Sequence, residues 1–265
     1  MSKDSFSFKK AIHSSDDEYY EKNIAWGPIW SIVLTVSIYF LTQIFAIIIF
    51  TIYFKLLHWN SKESNDWLSN SVIGQFSYVL IVEVASISII AAFFRWKKST
   101  FKLIGLVKFK YKDIVYSLCG FLVYIISFYA IALLISYFVK SFNINQSQSI
   151  GFQNVHGFSA LVITFLSLVV LPPIAEEIIF RGFLFSGLRT KLKFIYAALF
   201  TSIIFAAPHL LESKSGGLLW IAGLDTFILS MVSSFLREKT RGLWASIILH
   251  SIKNGVAFIG LFLIH

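Results

Sequence analysis

The chain has 265 residues and a net charge of +9, with 57% of its residues hydrophobic and only 14% charged; its mean hydropathy is +0.74. A water-soluble domain would carry about 25% charged residues, so the composition excludes that class and points to a polytopic membrane protein. The basic residues sit in short loops between apolar runs, which argues against a nucleic-acid partner and assigns the charge to membrane topology.

Residues 1–28 are polar and are expected to form a cytoplasmic tail, the run SSDDEYYEKN at 14–23 being a solvated stretch. No short apolar core with a small-residue cleavage site comes after it, so no cleavable signal peptide is expected. Apolar segments then fall at about 29–54, 72–94, 113–139, 158–187, 194–211, 217–236 and 243–264, each near or above the ~20 residues needed to cross a bilayer. Basic and non-basic loops alternate between them. Lys3, Lys9, Lys10 and Lys22 precede the first segment; Arg95, Lys97, Lys98, Lys102, Lys108, Lys110 and Lys112 come after the second. Arg189, Lys191 and Lys193 come after the fourth, and Arg237, Lys239 and Arg241 after the sixth, whereas the other loops offer Lys55 and Lys62, Lys140, or Lys214. The expected architecture is all-α, a membrane helix bundle of seven spans in the cell membrane with its N-terminus in the cytoplasm. FKLIGLVKF at 101–109 is the candidate for an eighth, as a short amphipathic piece at the interface. Trp26, Trp30, Trp59, Trp96 and Trp244 read as an interfacial belt, and Gln43 and the scattered Ser/Thr as interhelical hydrogen-bonding groups. The single cysteine, Cys119, allows no internal disulfide.

The segment at 158–187 would extend roughly 45 Å as a helix. Pro172 and Pro173 interrupt it, and Pro173 can give no hydrogen to the carbonyl of Val169, so a kink and an adjoining hydrated cavity are expected at this point. The prolines open the run PPIAEEIIFRGFLF, which places Glu176, Glu177 and Arg181 at membrane depth. Ionisable groups there usually mark a pathway or a reaction centre. Adjacent helical residues lie about 100° apart. Glu177 and Arg181 are spaced i,i+4 and can pair; Glu176 points elsewhere and is free to face a cavity as a base. His209 lies on the fifth segment, with Phe205 on its face, and His250 with Asn254 share a face of the seventh. Counted from the basic ends, Glu176 lies about 16 Å deep, His209 about 22 Å, His250 about 10 Å and Asn254 about 16 Å. Four polar groups on three helices thus approach one layer.

Glu-Glu-x-x-x-Arg at 176–181, Phe-x-x-x-His at 205–209 and His-x-x-x-Asn at 250–254 resemble the three motifs of the CPBP family (CAAX protease and bacteriocin-processing, or Abi) of intramembrane proteases. FRGFLFSGL after the first motif and LWASIILH before the third fit as well. The resemblance spans roughly 158–258 and divides the chain into a tail (1–28), N-terminal spans (29–157) and a CPBP/Abi-like catalytic core (158–265). It implies a glutamic-type intramembrane endopeptidase with no cofactor and no metal. In it Glu176 is the general base activating water, His209 its partner, and His250 with Asn254 the oxyanion site, while Glu177 and Arg181 support the first motif. Family members are also associated with bacteriocin self-immunity and peptide processing. The Ile, Phe and Lys bias suits an AT-rich bacterium, so a hydrophobic peptide, leader or membrane-protein segment is the expected substrate rather than a prenylated protein.

Three groups stand outside the pattern. Lys253 would lie near mid-depth and pair with Glu83 or Asp225; Glu83 and Asp225 themselves read as buried structural partners. Two other functions remain in view. Glu176, His209 and His250 could supply a three-ligand zinc site, although the spacing does not resemble H-E-x-x-H. A proton-coupled transporter or an immunity protein acting without proteolysis could also use buried Glu and His, but two matching halves with interrupted helices are lacking.

Overall fold

The computed structural model describes residues 15–146, 148, 150–213 and 216–264; Lys3, Lys9, Lys10 and Lys214 lie outside the described residues. The chain is an all-helical membrane bundle. Its helices are α1 (Ser15–Asn23), α2 (Pro28–Leu56), α3 (Ser61–Asn70), α4 (Val72–Trp96), α5 (Tyr111–Phe138), α6 (Phe158–Arg189), α7 (Phe194–His209), α8 (Trp220–Thr240) and α9 (Trp244–Phe262). Five of them, α2, α4, α5, α6 and α9, are long and apolar enough to cross a membrane. The remaining two expected segments form α7, which is shorter, and α8, whose last turns carry Arg237, Glu238 and Lys239.

The surface is that of a protein solvated by lipid. α2 exposes Ile29, Val33, Phe40, Leu41 and Ile47, and α5 exposes Leu122, Ile126, Leu133 and Leu134. Small polar groups lie inside: Ser31, Thr35 and Thr42 of α2, and Ser230, Ser233 and Ser234 of α8, are buried. Small residues let helix backbones approach closely where lipid offers no hydrophobic drive between helices. Gly187 of α6 is the tightest case, since a Cβ there would stand 1.7 Å from Ser31 Oγ. Where such hydroxyls bond, it is mostly within their own helix, Thr42 to the Ile38 carbonyl and Ser167 to that of Ile163, whereas Thr35, Ser230, Ser233 and Ser234 have no hydrogen-bond partner among the described residues. The expected interhelical role is met by Ser117, whose Oγ donates to the Ala245 carbonyl at 2.9 Å. A hydroxyl finds its i−4 carbonyl at no entropic cost in chain placement, so that partner usually wins.

Loop contacts sort the helix ends into two sets. At the basic end, Trp26 Nε1 donates to the Phe183 carbonyl (3.2 Å), Arg189 pairs with Glu238 (2.7 Å) and Trp244 Nε1 donates to the Val107 carbonyl (2.7 Å). At the opposite end, Gln75 Oε1 accepts from the Phe152 amide (2.6 Å), Asn154 donates to Asn70 (3.0 Å) and Gln146 donates to the Leu218 carbonyl (3.0 Å). The alternation of loop charge therefore corresponds to two real faces of the bundle.

Residues 101–109 form neither an eighth span nor an amphipathic helix: 101–105 make turns, and Ile104 is fully buried beside Gly182. Gly105, at φ 95°, gives its carbonyl to the Leu243 amide at 2.9 Å, which pins this loop under the bundle. The run at 14–23 is not simply a solvated tail, because α1 buries Tyr20 edge-on to Phe185 at 6.1 Å. Trp26 is no interfacial anchor either; it is buried and stacked on Phe183 at 5.1 Å. α3 was not anticipated, although Asn60 and Glu63 form a reciprocal capping box at its start.

α6 is the axis of the fold, with every residue from Glu177 to Thr190 buried. In place of a sharp break at the prolines it carries two π-helical stretches, Leu166–Val170 and Ile178–Leu184, joined by an α-helical turn over Leu171–Glu177. Pro172 and Pro173 lack the N–H groups that would bond the carbonyls of Leu168 and Val169, and a widened turn absorbs the loss. The two glutamates sit on the short α-helical piece between the π-helical stretches.

Candidate active site

The local chemistry of α6 separates the glutamates as helix geometry requires. Glu177 Oε1 lies 2.9 Å from Arg181 Nη1, both side chains being fully buried. The Arg181 guanidinium also covers the Phe205 ring at 4.4 Å. Glu177 has a second partner on α9, since His250 Nδ1 stands 3.1 Å from the same Oε1. The carboxylate can only accept, so Nδ1 carries the hydrogen, and His250 Nε2 is the nitrogen left to act elsewhere. It lies 3.7 Å from Glu176 Oε2, beyond a direct hydrogen bond and suited to a group or water held between them.

Phe205 anchors the wall behind this pair. Its ring packs edge-on against Phe180 (4.8 Å) and His250 (5.9 Å), and tilted against His209 (5.3 Å). His209 uses Nδ1 as a donor to the Phe205 carbonyl at 3.0 Å, so its Nε2 is the basic nitrogen of the neutral ring. No hydrogen bond joins His209 to Glu176. What they share is space. Glu176 and His209 both line a cavity of about 370 Å³ between α2, α4, α6 and α7, and a second of about 140 Å³ between α6, α8 and α9. His250, Lys253 and Asn254 line the smaller one. Asn254 Nδ2 donates to the Leu168 carbonyl at 2.9 Å, one of the acceptors released by the prolines. A recess of about 760 Å³ between α5, α7 and α8 is larger than either but is lined by no ionisable residue.

All four residues proposed from sequence, Glu176, His209, His250 and Asn254, thus border one small cavity, with Glu177 and Arg181 behind them. The second role of Glu177, as the acceptor that orients His250, is not legible in sequence, because helix periodicity reports only partners on the same helix. Lys253 pairs with Asp225 at 2.9 Å, and Asp225 also accepts from the Tyr124 hydroxyl of α5. Glu83 is not the partner of Lys253 and lines the larger cavity with Glu176. Glu212, which no motif marked, borders the same cavity and accepts from the Gln148 amide. Among the described residues, no three His, Cys, Asp or Glu side chains converge as a metal-ligand set.

Residues 158–256 match the family model for type II CAAX prenyl endopeptidase Rce1-like proteins. The match covers α6 to α9, the helices that carry the site. Over most of its length the chain is also similar to a Bacillus subtilis (strain 168) protein, "Putative membrane peptidase YdiL", with 28% identity over 231 residues and 85% of each chain covered. The helices that carry the site are thus similar to those of the CPBP (CAAX protease) family of membrane proteases. A second relative, an Escherichia coli "Uncharacterized 24.3 kDa protein", is 32% identical over 92 residues, 34% of this chain and 40% of its own. No solved structure matches at a significant level. The family-model match lies in the C-terminal helices, whereas the similarity to the B. subtilis protein extends into the N-terminal half.

Proposed function

We propose that this protein is an intramembrane endopeptidase of the glutamic type, hydrolysing a peptide bond in a hydrophobic peptide, leader or membrane-protein segment. The basic end of the bundle faces the cytoplasm of the cell membrane, and the N-terminus with it. The observation that carries the reading is that Glu176 and His209 line both cavities, so a chain in the larger one and water in the smaller one would meet at them.

In this mechanism, Glu176 takes a proton from water while His209 Nε2 accepts from the same molecule and aligns it. The water oxygen attacks the carbonyl carbon, and the oxyanion forms against His250 Nε2 and the Asn254 amide. Glu177 already accepts the Nδ1 hydrogen, so donation from Nε2 requires the imidazolium, whose counter-charge Glu177 supplies. Collapse returns the proton from Glu176 to the departing amine, leaving one acid and one amine.

The test uses purified protein in nanodiscs with wild-type and Glu176→Gln membranes compared by peptidomics. The wild type should generate new peptide termini in the presence of EDTA or phenanthroline, and Glu176→Gln, His209→Ala and His250→Ala should not. Loss of activity on chelation with stoichiometric zinc would favour a metalloprotease. Cleavage by Glu176→Gln would remove the assignment. An immunity phenotype surviving Glu176→Gln would mean that the protein acts without proteolysis.

A further inference from the structure

The larger cavity has a charge pattern that hydrolysis does not require. Glu83, Glu176 and Glu212 line it, and no Lys or Arg does. Glu176 is taken up by the proposed chemistry, and Glu212 by the Gln148 amide at the non-basic end. Glu83 has neither use. It lies near the middle of α4, a helix long and apolar enough to span the bilayer, and no hydrogen bond or ion pair joins it to another described residue. Thr35, Tyr39, Thr42 and Gln43 of α2 and Tyr78 of α4 also line the cavity and are neutral, and His209 is the one basic side chain among its described lining.

An acidic side chain at this depth is expensive to keep and is ordinarily matched by a cation, a proton or a hydrogen-bond donor. Here the protein supplies no cation on that wall. The smaller cavity differs: its cation, Lys253, is already neutralised by Asp225. A peptide lying along α4 towards Glu176 would therefore meet a carboxylate with an unmet demand before it met the reacting groups.

Building on the endopeptidase reading, we infer that Glu83 is a specificity residue: it binds a cationic group of the substrate, a Lys or Arg side chain or a free amino terminus, in the cavity leading to Glu176. The preferred substrate is then an apolar segment with one positive charge near the bond to be cut. Burying that cation against Glu83 would pair two charges that are each costly alone, and a neutral isostere would leave Glu83 unmatched.

The experiment uses the full chain in nanodiscs and acetylated, quenched-fluorescent dodecapeptides of Leu and Ala with one Lys, or one Gln, stepped through each position. Binding is measured first, on the Glu176→Gln protein. At one position the Lys peptide should bind on the order of tenfold more tightly than its Gln counterpart. Adding Glu83→Gln should erase that difference while leaving binding of the Gln peptides unchanged, and Glu83→Lys should favour a Glu peptide over both. Thermal melting of each variant shows that it is folded. The wild-type comparison of Lys against Gln peptides needs no Glu83 variant. No Lys preference at any position, or one that survives Glu83→Gln, overturns the inference. Turnover is read separately. A Lys preference in binding without cleavage by the wild type would keep the role of Glu83 and refute the endopeptidase reading. Cleavage with no Lys preference would do the reverse.

Discussion

Asn254 Nδ2 donates to the carbonyl of Leu168 at 2.9 Å, tying α9 to the π-helical stretch of α6. The acceptor is free because Pro172 stands four residues on and has no N–H to offer. A side chain proposed as an oxyanion donor therefore also closes a defect in the helix that carries the glutamates, with one amide hydrogen committed and one left.

Asn254→Ala should lower both rate and stability. Leaving the Leu168 carbonyl unsatisfied inside the bundle costs about 1–3 kcal/mol, and losing one oxyanion donor slows turnover by about 100- to 1,000-fold. Thermal unfolding in nanodiscs beside steady-state kinetics separates the two. An unchanged melting temperature would mean that the contact does not support the fold.

The two glutamates should fail in different ways. Glu177 compensates a fully buried Arg181 and orients His250. Glu177→Ala leaves that guanidinium without its counter-charge and should cost roughly 3–5 kcal/mol, seen as a fall in folded yield. Glu176 borders cavities and forms no such pair with arginine, so Glu176→Gln should retain the wild-type melting temperature while turnover is lost. Equal destabilisation by both changes would refute this division of labour.

Lys253, Asp225 and Tyr124 link α9, α8 and α5. Lys253→Met should destabilise by about 1–3 kcal/mol, because Asp225 keeps only the tyrosine. Pairing it with Asp225→Asn should restore part of the loss, since contacting partners are not additive. Additive losses in the double variant would show that the ion pair is energetically idle.

Alkaline pH should loosen the basic end. Burial pushes the Tyr20 hydroxyl up to about 12 from 10, so the unfolded chain loses this proton before the folded one does. Stability is then unaffected below pH 10 and falls as pH rises from 10 towards 12, by about 2–3 kcal/mol over the full interval. Melting temperature against pH, compared between wild type and Tyr20→Phe, should diverge only above pH 10. Parallel curves would exclude Tyr20 as the titrating group.

The spans were legible because a run of some twenty apolar residues has few places to go other than a bilayer helix. The division between Glu176 and Glu177 was legible too, because 100° per residue is a property of any helix. The docking of α1 was hidden, since Tyr20 and Ile24 alone make a weak apolar signal among acidic neighbours. The loop at 101–109 misled for the opposite reason: Phe101, Leu103, Ile104 and Leu106 pack on the protein core, and composition does not distinguish protein from lipid as the apolar partner. Glu83 read as a structural partner because a mid-span charge announces a need for company without naming it.

From the chain alone, the fold class, the positions of the long apolar helices, the pairing of Glu177 with Arg181 and the list of candidate site residues could be read. Each depends on local periodicity or on residues recurring in order. Tertiary structure alone decided that His250 is held by Glu177, that Asn254 serves the prolines of another helix, that Lys253 belongs to Asp225, and that two cavities meet at Glu176 and His209. Those contacts join residues tens of positions apart, and their register is set by how helices pack, through glycine and serine contacts that carry no directional signal in sequence.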